Sequence, residues 1–443
     1  MRKRILGVEI RYYSLEFFLY DEKINTLSIP TKGIETTRFY DAFKEGISKL
    51  GHKKYDAICF VGENKTIIFD EDREIEGDST AGTKGAKEVE GAFDQETIKK
   101  ELGVSLPLPP YSPLPRLLYI RKYFGNDKKV AKIKDFLIEQ LTGYLISDST
   151  TWEGLSKPRS NSYSETMIEK FGLSILLPTL EDIGFACPSL KDDVQKDLGL
   201  ENKPKIINGC SAFASRLIAL GMDETKIVDI NDDEEVLVVS SKRAQFDSSY
   251  TTEPFIDGSL SLGINPSHGA ALKRGKNEKE SHIEEILDSN PPINLPYWRG
   301  SLFPSRCELA YATYIGGDIH DRNALCYSSL EGDAFASFDI FTSFNKKRSK
   351  IIIANNANKT HLSIKSSLFD LPIYKVKNDS PSFGAVLIAL SSFEEKPLKE
   401  IQEREIKYLE VAIPNTNIKE KLHSRYESFL KYKRAQFKEK GKI

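Results

Sequence analysis

The chain has 443 residues, too long for one ordinary core, so two domains of roughly 200 residues each are expected. Hydrophobic residues make up 40% and charged residues 29%, the balance of a soluble globular protein and not of a disordered one. With 63 Lys and Arg against 65 Asp and Glu, and a net charge of −2, the composition gives no grip on nucleic acid or an anionic membrane, and partners must be sought in local sites.

The start, MRKRILGVEIRYYSLEFFLYD, has a basic tip followed by strand-like alternation carrying Glu9, Arg11 and Glu16, which does not read as a signal peptide. Two apolar runs around a polar break from Arg11 to Ser14 read as a β-hairpin. Strands follow at YDAICFVG and TIIFDED, and the stretch from Glu76 to Gly91, poor in apolar residues and rich in Gly, Thr and Lys, reads as a mobile loop. LPLPPYSPLPR fits either a PxxP ligand for another protein's recognition domain or a rigid lead-in to the helix RLLYIRKYFG.

Helical spacing in VAKIKDFLIEQLTG ends at Gly143, a suitable C-cap. KIINGCSAFASRLIALGM, residues 205–222, reads as a strand, a glycine turn and a helix whose first turn faces a ligand. The acidic run DINDDEE, Asp229 to Glu235, reads as a solvated turn and marks a domain boundary, giving domains of residues 1–230 and 231–443. Beyond it come the strand VLVVSS, a helix around DRNALCYSSLEGDAFASFDIFTSF, the strand SKIIIANNANKT and a closing helix in SFGAVLIALSSF. Strands alternate with helices in both halves, which favours an α/β architecture.

The five cysteines are far apart with no CxxC pair, which suits a reducing compartment rather than a zinc site or disulfide framework. No apolar run reaches the roughly 18 residues of a membrane span, and a cytoplasmic location is expected. The six histidines show no HExxH or paired spacing, so no metal centre is expected from them. The basic KYKRAQFKEKGKI at the carboxy end reads as a solvated helix end.

The order of ILGVEIRYYSLEFFLYD, PLPRLLYIRKYF, DFLIEQLTGYLISDST, ILLPTLEDIG, IINGCSAFASRLIALG, LPYWRGSLFP, IIIANNANKT and FGAVLIAL resembles that of the FGGY carbohydrate kinases, xylulokinase-like branch, from one end of the chain to the other. The resemblance implies two actin-like or hexokinase-like (ribonuclease H-like) α/β domains flanking a cleft, with MgATP held by glycine turns and a sugar held mainly by the first domain. It implies transfer of the γ-phosphoryl group to a sugar or polyol hydroxyl.

The same resemblance exposes departures at each site position. In the DxGTxxxK-like hairpin, Glu9 stands for the acid that holds Mg²⁺, Arg11 for the glycine and Tyr12 for the threonine, and Ser14 follows. Arg11 and Tyr12 place bulk where backbone amides meet phosphate. A GTS-like turn maps to Ser240, Ser241 and Lys242, with hydroxyls kept and the glycine lost. The GGD turn becomes Gly209, Cys210 and Ser211, so a serine stands where the family's general base is an aspartate, and a hydroxyl does not take that proton near neutral pH without a second base.

The sugar-contacting GQxHG-like turn appears as Gly62 to Thr66, which puts Glu63 and Asn64 in the substrate positions, and the GER-like turn as Gly300, Ser301 and Leu302. At the adenosine side Asn355 and Asn356 replace glycines, and Asn tolerates left-handed backbone best among the other residues. Trp152 and Trp298 lie beside these turns, where each would either stack on a sugar or pack beneath the cleft. The expected function is that of a carbohydrate-kinase homologue impaired in phosphotransfer, a pseudokinase acting by binding a ligand, a protein partner or a second copy of itself. The alternative is an active ATP- and Mg²⁺-dependent sugar or polyol kinase that uses non-standard residues.

Overall fold

Strands Ile5–Ile10 (β1) and Ser14–Tyr20 (β2) pair antiparallel with Ile5 opposite Tyr20 and Ile10 opposite Leu15, which confirms the hairpin. The computed structural model in which they are seen describes residues 3–22, 24–33, 35–256, 258–275, 283–345, 347–355 and 358–440. Asn25–Pro30 (β3) pairs with β2, Ala57–Gly62 (β4) runs parallel to β1, and Lys205–Ser211 (β5) runs parallel to β4. The sheet order is therefore β5-β4-β1-β2-β3. Every residue of β1 and β4 is buried, as expected of parallel strands covered on both faces and of their continuous apolar sequences.

The chain divides into two compact units: Met1–Gly221 with Glu253–Gly258 and Asn378–Ile406, and Met222–Thr252 with Ser259–Lys377 and Lys407–Ile443. A single cut near Asp229 to Glu235 does not describe this division. The segment from 378 to 406 returns to the first unit, where its apolar helix Pro381–Glu394 packs on β1, β4 and the helix Ala212–Ala219.

A second core in the first unit gathers around Trp152, Leu117 and Ile98, all fully buried. Here the loop expected from Glu76 to Gly91 is a short 3₁₀ turn, Thr80–Gly82, and a helix, Thr83–Ala92. The glycines are contact residues rather than hinges. A Cβ on Gly82 would come within 1.9 Å of the Pro110 carbonyl oxygen, and one on Gly85 within 2.3 Å of that of Pro115. The helix they open onto, Pro113–Phe124, begins with a proline, so the proline-rich segment is its lead-in.

The second unit is built on the same plan. Lys226–Asn231 (β6) and Glu235–Ser241 (β7) form an antiparallel hairpin, and Gly258–Asn265 (β8) pairs antiparallel with β7. Lys350–Ala354 (β9) runs parallel to β6, and Ile373–Val376 (β10) runs parallel to β9. The order β8-β7-β6-β9-β10 thus repeats β3-β2-β1-β4-β5 strand for strand. In this correspondence the β6–β7 turn, Asp232 to Glu234, matches the β1–β2 turn, Arg11 to Tyr13. Asn355 after β9 matches Glu63 after β4.

Candidate functional site

In the first hairpin, Glu9 is buried at the end of β1, and Arg11 forks onto it, Nε to Oε1 at 2.7 Å and Nη2 to Oε2 at 3.0 Å. Burial raises the Glu9 pKa, and the Arg11 guanidinium works against that rise. Both carboxylate oxygens are thus committed to one cation. Tyr12 donates to Glu74 at 2.7 Å and lies under the Arg38 guanidinium, which itself pairs with Glu74. Ser14 donates to Glu16 at 2.7 Å. The turn is closed on itself by side chains.

The loop after β4 is closed in a similar way. Glu63 Oε2 accepts the Lys65 N–H at 2.7 Å and Oε1 accepts the Thr66 N–H at 3.0 Å, while the Asn64 carbonyl accepts from Lys132 Nζ at 2.6 Å. Trp152 is fully buried and its indole N–H donates to Asp135 Oδ2 at 2.9 Å, so it packs rather than stacks on a ligand.

Ser211 ends β5 and caps the helix Ala212–Ala219, its Oγ accepting the Ala214 N–H at 3.2 Å. Gly209 just before it lies so close to β4 that a Cβ would be 2.2 Å from the Phe60 carbonyl oxygen. Among the described residues no carboxylate or imidazole is hydrogen-bonded to Ser211 Oγ. One acid is linked to it through the backbone: Ser211 N–H donates to Thr150 Oγ1 at 3.0 Å, and Thr150 Oγ1 donates to Asp148 at 2.6 Å. Asp148 also accepts the backbone N–H groups of Thr150 and Thr151 and the Lys134 ammonium, the last at 3.0 Å.

Lys134 joins Asp148 to Asn208 at 2.8 Å, and both Lys134 and Asn208 are fully buried. Burial alone would lower its pKa, but Asp148 and Asp135 outweigh that and hold the ammonium protonated. Sequence reasoning passed over this Lys134, Asp148, Thr150 and Asn208 network. Its one signal was polar residues at apolar-run positions in KIINGC and in the helix from Ile133 to Thr142.

In the second unit, Ser240 and Ser241 lie inside β7, opposite Leu260 and Ser259, and form no turn. Ser241 Oγ donates to the Arg243 carbonyl at 2.9 Å. The turn itself is Asp232, Asp233 and Glu234, all exposed. Asp233 pairs with Arg299 at 2.8 Å and with Lys273 at 3.3 Å. Asn355 has φ of +69°, in the left-handed region, and donates to Asp232 and to the Asn231 carbonyl. Asn356 lies outside the described residues.

Solved structures with the same course of chain include gluconate, xylulose and glycerol kinases. A gluconate kinase from Lactobacillus acidophilus matches with a TM-score of 0.81 at 18% identity, over 98% of each chain. The chain has the FGGY-type carbohydrate-kinase fold. A xylulose kinase from Rhodospirillum rubrum matches this kinase fold with a TM-score of 0.83 at 15% identity, over 99% of this chain and 100% of that one. A Plasmodium falciparum glycerol kinase solved with ADP matches at 0.79 and 16%, over 97% and 98%. No family model and no curated protein matches the sequence. The fold read from the ordered motifs is therefore shown, with two actin-like, ribonuclease H-like units. None of the described helices is long and apolar enough to cross a membrane.

Proposed function

We propose that this carbohydrate-kinase-fold protein is impaired in phosphotransfer and acts by binding a ligand or a protein partner. The observation that carries the reading is Ser211: its Oγ stands where the resemblance puts the general base, and it serves as a helix cap, with no carboxylate or imidazole hydrogen-bonded to it among the described residues. Loss of a general base costs about 10²- to 10⁴-fold in rate. Phosphoryl transfer depends still more on positioning and electrostatics, and there the departures point the same way.

The residues present do not fit Mg²⁺ and ATP in the way the resemblance implies. A Mg²⁺ ion at Glu9 would have to displace a bidentate guanidinium. By the strand correspondence, the second unit's counterpart of the first phosphate turn is Asp232 to Glu234, where three carboxylates would face phosphate charge. Ser240 and Ser241, as ladder residues, are less suited to that role than the sequence implied. Glu63 is occupied in holding its own loop, which argues against a sugar contact there.

The likeness over almost the whole chain to gluconate, xylulose and glycerol kinases supports a second reading, an active ATP-dependent sugar or polyol kinase. A coupled assay of ADP release with pentuloses, hexuloses and polyols separates the two. No sugar-dependent turnover is expected from the wild type. Turnover that survives repurification would establish the second reading, and Ser211→Asp should then raise it; a fall would show that Ser211 is not the base position.

A further inference from the structure

The second unit holds a group of donor side chains outside the turns described above. His268 opens the helix His268–Gly275, Asp333 lies in the middle of the helix Arg322–Ser343, and His361 is in the helix Lys359–Phe369. All three are fully buried, and one donor atom from each lies within 4.8 Å of the others. His268 Nδ1 is 2.7 Å from Asp333 Oδ2, and His361 Nε2 is 2.9 Å from the same oxygen. Among the described residues, His361 Nδ1 and His268 Nε2 have no hydrogen-bond partner. A buried polar group without a partner costs about 1–3 kcal/mol, so a fully buried imidazole of this kind asks for an occupant.

We propose that His268, Asp333 and His361 form a buried structural site for a first-row divalent transition-metal ion of the Zn²⁺ class, tying three helices of the second unit together. Zn²⁺ holds nitrogen and oxygen donors at about 2.0–2.2 Å, which puts neighbouring donors about 3.4 Å apart in a tetrahedron. The observed separations, from 2.7 Å to no more than 4.8 Å, span that value. Two imidazoles and one carboxylate, with no thiolate, suit Zn²⁺ and its neighbours and not Mg²⁺ or Ca²⁺.

The surroundings supply an outer layer and a charge balance. The other Asp333 oxygen accepts from Asn265 Nδ2 at 2.8 Å, Asn265 reaches Glu235 at 3.3 Å, and Lys365 bridges Glu235 to Asp229. Asp229, Glu235 and Asp333 against the single Lys365 leave two negative charges in a buried cluster if both imidazoles are neutral. A divalent cation cancels them. The rival occupant is a proton: burial lowers the His268 pKa, but Asp333 outweighs it and carries it up to about 9.

The inference is independent of the phosphotransfer reading and is tested on the full chain. The protein is unfolded in guanidinium with a chelator, refolded with Zn²⁺, with Co²⁺ or with neither, and desalted; bound metal, the Co²⁺ visible spectrum and the denaturation midpoint are then read. One equivalent retained per chain is expected, with a Co²⁺ spectrum of nitrogen and oxygen ligands and a higher midpoint with metal. Retention should be lost in His361→Gln and kept in His320→Gln, an exposed histidine outside the cluster. Asn265→Ala should weaken it about tenfold to a hundredfold, as outer-layer changes do. Wild-type protein that refolds to the same midpoint without metal and retains none would overturn the proposal even if the variants fail to fold. Equal retention by His361→Gln would overturn it too.

Discussion

Lys132 carries a pH dependence that belongs to a single side chain. It is fully buried, with Nζ donating to the Asn64 carbonyl, and burial lowers its pKa from 10.5 to about 7 despite the nearby Glu63. Between those values the unfolded chain binds the proton and the folded chain does not, so stability rises with pH across that window. Below pH 7 both states are protonated and the full penalty of burying an ammonium remains. Lys132→Met should therefore gain stability over the wild type most at pH 6, and the gain should shrink as pH rises towards 10.5. Urea midpoints at pH 6 and pH 9 measure it; a difference that is the same at both would contradict the assignment. Ser211 teaches the complementary lesson: its hydroxyl was legible as a departure, but its work as a helix cap was not, because that depends on the Ala214 N–H turning towards it.

At the scale of elements, the helix Thr83–Ala92 gives a paired prediction. Gly85→Ala places a methyl group 2.3 Å from the Pro115 carbonyl oxygen and should destabilise by about 1–3 kcal/mol. Gly91→Ala in the same helix meets nothing within 4 Å and should stabilise by about 0.5–1 kcal/mol. Opposite signs in urea midpoints are expected; two near-zero changes would mean that the segment is the loop its composition suggests. That composition misled because the glycines serve a tertiary contact with a proline-led helix and weaken the local signal for a helix. Elsewhere the local signals sufficed: the β1–β2 hairpin, the Gly143 cap with φ of +83° and the helix Arg322–Ser343 all lie where periodicity and turn residues put them. The acidic run was half legible. Asp232 to Glu234 are solvated, but Asp229 and Glu235 are buried against Lys365, 136 and 130 residues further on, a pairing that no local window contains. The same distance hid the meeting of His268, Asp333 and His361.

At the scale of the whole molecule, the chain repeats one five-strand plan in two units, and the repeat is what locates the turns that matter. An ordered set of weak motifs was enough to identify the fold, since each segment constrains its neighbours in sequence. It could not place the second unit's turn, because the spacing between a strand and its turn is not visible without the pairing of β6 with β7. Nor could it show that the segment 378–406 belongs to the first unit.

The central claim is that these turns no longer hold nucleotide phosphates. The most direct measurement is a thermal-shift titration of the wild type with MgATP and MgADP into the millimolar range. A ligand at 100 times its Kd adds about 2.7 kcal/mol, which is several degrees for units of this size. No shift with either nucleotide is predicted; a saturable rise of several degrees would contradict the claim.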